Sequence, residues 1–141
     1  MKKFIPLLFL LLLLTGCAAP AEQEVSYRQI SMDEAITMMQ EETDYIILDV
    51  RTVEEFSEKH IPGAINIPNE TIGTAEIPEL PNKDQLILVY CRSGNRSKQA
   101  SEKLAALGYT NIVEFGGIND WPGETVTVFY KEVQIWDFSI F

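Results

Sequence analysis

Hydrophobic and polar positions along the chain alternate between two rhythms, short near-continuous apolar runs and stretches of helical spacing. Tyr45-Ile46-Ile47-Leu48-Asp49-Val50-Arg51 and Leu86-Ile87-Leu88-Val89-Tyr90 are apolar almost throughout, as expected of strands covered on both faces of a parallel sheet. Tyr27 to Ile30, the stretch around Ile65 to Ile67, and Asn111 to Phe115 are expected to be further strands. Between them lie helix signals. Ser31 followed by Glu34, and Thr52 followed by Glu55, are capping boxes that predict helices to about Glu41 and Glu58. Ala100, Leu104 and Leu107 share one face of a helix predicted over Lys98 to Leu107, with Gly108 placed to end it in the left-handed conformation. Glu70 to Pro81, flanked and interrupted by proline, reads as loop with room for one helical turn.

Strands alternating with helices predict an α/β fold, a mostly parallel central sheet flanked by helices, joined by right-handed crossovers. Sites in such sheets form beyond the carboxyl ends of the strands. Asp49, Arg51 and Cys91 all stand at such ends, and Cys91 opens the loop Cys91-Arg92-Ser93-Gly94-Asn95-Arg96-Ser97 that leads into a helix. The first amides of that helix have no partner within it and favour an anion. With Arg92 and Arg96 alongside, the thiolate of Cys91 is favoured, which makes Cys91 the candidate nucleophile.

The two ends of the chain follow neither rhythm. Met1-Lys2-Lys3 precedes an apolar run from Phe4 to Leu14, too short for a membrane-spanning helix, and Leu14-Thr15-Gly16-Cys17 closes it with small residues, a signal-peptide pattern. Those four residues resemble the bacterial lipobox. That resemblance implies removal of residues 1–16, lipidation of Cys17, a flexible tether over 17–26 and anchoring on the extracytoplasmic face of a bacterial cell membrane. Residues 124–141 form an apolar extension with strand-like alternation whose role the sequence does not define.

At 141 residues the chain is long enough for one domain with a real core, expected over 27–123. Its formal charge of −10 becomes −12 without Lys2 and Lys3, nine basic residues against twenty-one acidic. Nucleic acid is thereby excluded as a partner, and a basic membrane-binding patch with it. Cysteine occurs only at positions 17 and 91, so lipidation of Cys17 leaves a single free thiol. His60 is the only histidine, which excludes a histidine metal cluster. No metal or cofactor is expected.

Asp49-Val50-Arg51, His60-Ile61-Pro62-Gly63-Ala64, the loop Cys91 to Ser97, and Gly116-Gly117-Ile118 with Trp121-Pro122 together resemble a single-domain rhodanese. The resemblance implies the rhodanese-like fold and a sulfurtransferase that works through a cysteine persulfide on Cys91. A small anionic sulfur donor such as thiosulfate would meet Arg92, Ser93, Gly94, Asn95, Arg96 and Ser97, and a thiol or cyanide would accept the sulfur. Asp49 and Arg51 are read as loop-supporting, His60 as a structural residue at a turn, and Trp121 as core. Two other functions stay in view. A cysteine-dependent phosphatase would carry arginine six places after the cysteine, where this chain has Ser97, and non-catalytic rhodanese-like binding modules usually lack the cysteine.

Overall fold

A computed structural model describes residues 26–128. The expected leader over residues 1–16, Cys17, most of the tether and residues 129–141 lie outside the described residues. Five strands and three helices follow one another as β1 (Arg28–Gln29), α1 (Met32–Glu41), β2 (Tyr45–Asp49), α2 (Val53–Glu58), β3 (Ile65–Asn66), β4 (Leu86–Cys91), α3 (Asn95–Ala106) and β5 (Ile112–Gly117). Single 3₁₀ turns occupy Asn69–Thr71 and Ile118–Asp120. The sheet order is β1-β5-β4-β2-β3 and every pairing is parallel.

Alternation along the buried strands divides the apolar side chains between two cores. Leu48, Ile87, Val89 and Ile112 turn to one side with Ala100 and Leu104 of α3, whereas Ile47, Leu88, Tyr90, Val113 and Phe115 turn to the other with Ala35 of α1. All six residues of β4 are buried, as its unbroken apolar run requires. Each such aliphatic side chain contributes roughly 1.5–3 kcal/mol on burial, so the sheet needs both helical layers.

Both capping boxes form. Ser31 and Thr52 accept the amides of Glu34 and Glu55, whose carboxylates accept the Ser31 and Thr52 amides in return. Gly108 adopts φ +90° directly after α3. The helix itself begins at Asn95, three residues earlier than apolar spacing predicts, because Gly94 at φ +102° turns the chain straight into it. Its first turn is polar and has no periodicity to betray it. Trp121 is half-buried and packs against the core on the α1 side of the sheet, and its indole N–H donates to Glu124 O at 3.0 Å. Beyond that point the chain stays bound to the fold: His60 and Val126 exchange both backbone hydrogen bonds at 2.8 and 2.9 Å, and Val128 N donates to Ser57 O at 3.0 Å. No helix among the described residues is long and apolar enough to cross a membrane.

Candidate functional site

The carboxyl end of β4 meets the amino end of α3, and Cys91 sits at that junction, buried and unpaired. Gly94 N donates to Cys91 Sγ at 3.1 Å. Burial pushes the thiol up, but the Ser97 hydroxyl and the amides of Ser97, Ser93 and Gly94 outweigh it and leave Cys91 below the ordinary thiol range. The cradle is thus built mainly from backbone N–H groups at a helix start.

The loop can lie so close to β5 only because position 117 has no side chain. A Cβ there would stand 2.2 Å from Arg92 O, 2.4 Å from Arg92 C and 2.5 Å from Ser93 N. Asn119 N secures the same segment by donating to Arg92 O at 3.3 Å.

The two loop arginines have different surroundings. Arg96 forms a two-bond ion pair with Glu55 of α2, at 2.7 and 2.9 Å, and its pull holds the Glu55 carboxyl down at about 2, with burial opposing and the Thr52 amide assisting. Arg92 is exposed and makes no ion pair among the described residues. It borders a recess of about 310 Å³ with Arg51, Glu55, Glu58, Lys59, Ile118 and Asn119. Ser93 and Asn95 are exposed beside it, whereas Gly94 and Ser97 are buried. A second recess, about 260 Å³ and lined by Arg28, Met38, Glu42, Asp44 and Asn82 among others, lies away from the loop and contains no nucleophile.

Asp49 and Arg51 form a buried pair, Nη2 to Oδ2 at 2.6 Å with Nε reaching both carboxylate oxygens. Arg51 Nη2 continues to Lys59 O at 2.7 Å, so the pair braces the turn after α2 directly. Burial works against the Arg51 charge and Asp49 outweighs it. His60 stacks on Phe56 with ring centroids 3.8 Å apart, and its Nδ1 lies 2.8 Å from Phe56 O, a turn-stabilising arrangement. Among the described residues no three His, Cys, Asp or Glu side chains cluster as metal ligands would.

Sequence reasoning missed Glu114 and Glu55 as parts of the site. Glu114 on β5 is 3% exposed, and its Oε1 accepts from Ser97 Oγ at 2.6 Å and from Gly116 N at 2.9 Å. A signal was available for it: in Ile112-Val113-Glu114-Phe115 the acid shares the α3-facing side with Ile112, a place where a charge is costly. Glu55 was visible only as a capping residue, since its partner lies forty-one positions away.

Residues 31–124 match the family model for the rhodanese-like domain. The chain is 38% identical over 73 residues to the thiosulfate sulfurtransferase PspE of Escherichia coli strain K12, covering 52% of this chain and 70% of that protein. It is 33% identical over 102 residues to the adenylyltransferase and sulfurtransferase uba4 of Ogataea parapolymorpha, of which it spans 26%. Among solved structures, a rhodanese with anions from E. coli superposes with a TM-score of 0.55 at 34% identity, covering 60% of this chain and 99% of that one.

Proposed function

The chain belongs to the rhodanese-like domain family, and from that premise we propose that it is a rhodanese-type sulfurtransferase carrying sulfur as a persulfide on Cys91. The observation that carries this reading is the Cys91 sulfur set at the start of α3, 3.1 Å from Gly94 N, where the Ser97 hydroxyl and the loop amides favour its thiolate. The Cys91 thiolate attacks the outer sulfur of thiosulfate, the sulfur–sulfur bond of the donor breaks, and sulfite leaves with the bonding pair. The transferred sulfur remains on the enzyme as the persulfide anion, stabilised by the same amides. Cyanide or a thiolate then attacks that outer sulfur, departs with it, and returns the Cys91 thiolate.

Arg92, exposed at the rim of the 310 Å³ recess, meets the donor's anionic end. Arg96 acts differently from Arg92 because Glu55 already neutralises it. That pairing also weakens the phosphatase reading. The arginine one place too early for that chemistry points to Glu55, and Ser97 in the phosphatase position points to Glu114.

The test is peptide-resolved mass spectrometry of the full chain after thiosulfate treatment, with thiocyanate measured when cyanide follows. One sulfur on Cys91, absent in Cys91→Ser, is the expected result; no added sulfur, or p-nitrophenyl phosphate hydrolysis in its place, overturns the reading. The lipobox resemblance further supports attachment through Cys17 to the extracytoplasmic face of a bacterial membrane, where sulfur would pass to an external acceptor. Cell fractionation checks it: the protein is expected with membranes and Cys17→Ser in the soluble fraction, and equal partitioning of the two would refute the anchor.

A further inference from the structure

The recess beside the Cys91 loop is larger than a sulfur donor such as thiosulfate needs. Its volume of about 310 Å³ falls within the roughly 300–1,000 Å³ of sites that take organic ligands, whereas thiosulfate is a compact inorganic ion. Its walls adjoin the nucleophile. Arg92 follows Cys91 in the chain, and Ile118 and Asn119 follow Gly117, the register partner of Cys91 on β5. Asn119 N donates to Arg92 O at 3.3 Å, and Glu55, also in the lining, holds Arg96 at the other end of the same loop.

Most of the lining is charged, but not all of that charge is open to a ligand. Arg51 is neutralised by Asp49 at 2.6 Å and Glu55 by Arg96 at 2.7 Å. Arg92, Lys59 and Glu58 are exposed and make no ion pair among the described residues. Two positive charges and one negative therefore face an incoming molecule. Lys59 is fixed at the edge by its main chain, since its carbonyl accepts from Arg51 Nη2 at 2.7 Å.

The cations suit an anionic donor, whereas Glu58 repels it. A second ligand gives the carboxylate a use. Transfer through a covalent intermediate has two stages, so the product of the donor leaves before the acceptor enters, and one recess serves both in turn.

We propose that this recess is the acceptor site, that its ligand is a small thiol bearing both a carboxylate and an ammonium group, and that Lys59 and Glu58 determine this specificity. Lys59 and Arg92 take the carboxylate, and Glu58 takes the ammonium. The acceptor's thiolate attacks the outer sulfur of the Cys91 persulfide and the bond between the two sulfurs breaks. Cys91 keeps the bonding pair as its thiolate, and the acceptor leaves as a persulfide. This specificity rests on Cys91 being the sulfur carrier.

The full chain, loaded with sulfur by thiosulfate, is discharged by cysteine, which carries both charges, by 3-mercaptopropionate or cysteamine, which carry one each, and by uncharged 2-mercaptoethanol. Each kcat/KM is divided by the same protein's value for 2-mercaptoethanol, and variant is compared with wild type, so that the thiols' own nucleophilicities cancel. Glu58→Gln should lower the ratio for cysteine and cysteamine about three- to fivefold, as loss of one exposed ion pair would, and raise it for 3-mercaptopropionate. Lys59→Gln should lower it for cysteine and 3-mercaptopropionate and raise it for cysteamine. Ratios unmoved in both variants overturn the proposal, since a merely structural role for the two residues would slow all four thiols alike. If thiosulfate puts no sulfur on Cys91, the sulfurtransferase reading falls, and the recess is judged separately with S-methylcysteine, which has both charges and no thiol. It should slow alkylation of Cys91 by iodoacetamide in wild type at concentrations about three- to fivefold below those needed in either variant. No slowing, or equal slowing in all three proteins, overturns the site.

Discussion

Gly117→Ala isolates the fit of the nucleophile loop against β5. The glycine has φ −143° and ψ 154°, an extended conformation open to any residue, so backbone strain does not enter. The whole effect is steric. The added Cβ would stand 2.2 Å from Arg92 O, whereas real Cβ contacts essentially never fall below 3.0 Å, so the loop must retreat by roughly 0.8 Å, the difference between those distances. Arg92 C and Ser93 N, at 2.4 and 2.5 Å, are backbone as well, and no side chain can swing aside to relieve them. Overpacking of this kind costs about 1–3 kcal/mol. In a domain of this size each kcal/mol corresponds to roughly 4–8 °C in Tm. Because the displaced atoms adjoin Cys91, an error near 1 Å in the sulfur's setting should lower kcat/KM for thiosulfate about 100-fold. Thiocyanate formation and thermal melting measure the two effects. Gly73→Ala, where nothing lies within 4 Å of the added Cβ, is the control and should leave both unchanged. A Gly117→Ala protein with full activity and an unshifted Tm would refute the account of how the loop is seated.

Three further outcomes are expected. Asp49→Asn leaves Arg51, 3% exposed, without its countercharge, and should destabilise the fold by about 3–5 kcal/mol in urea titration. Glu55 has its folded-state pKa lowered from 4.5 to about 2. Its pairing with Arg96 therefore stabilises the fold fully above the unfolded value and is lost as pH falls through the folded one. Melting curves between pH 5 and about pH 2 should accordingly show a steeper loss of Tm for wild type than for Glu55→Gln, by on the order of 1 kcal/mol given the pair's partial exposure. A chain ending at Glu124 loses the three backbone bonds that Val126 and Val128 make to His60 and Ser57. It should melt below a chain ending at Val128, and faster hydrogen exchange at the His60 amide should accompany the change.

What the sequence by itself determined is what local patterns encode. Unbroken apolar runs specify strands buried on both faces, as in Leu86–Tyr90, and Ser31-x-x-Glu34 and Thr52-x-x-Glu55 specify helix starts because both partners lie within one turn. The thiol at a strand's end and the polar loop that follows it were legible for the same reason. The start of α3 was not, since its first turn, Asn95-Arg96-Ser97, presents no apolar face and depends on the left-handed Gly94. Asp49 and Arg51 stand in the sequence as supports for the Cys91 loop, but that they bond to each other and brace the turn at Lys59 follows only from the folded path.

Only the tertiary structure decided which charges meet. Arg96 and Glu55 are forty-one positions apart and Ser97 and Glu114 seventeen, and each pair forms because parallel strand order brings α2, α3 and β5 around one loop. Gly117 belongs with them, because its lack of a side chain matters only once Arg92 lies across it. Local sequence places the Cys91 thiol at a helix start among Ser93, Gly94 and Ser97; how that loop is seated depends on Glu55, Glu114 and Gly117 from separate elements, and no sequence period records them.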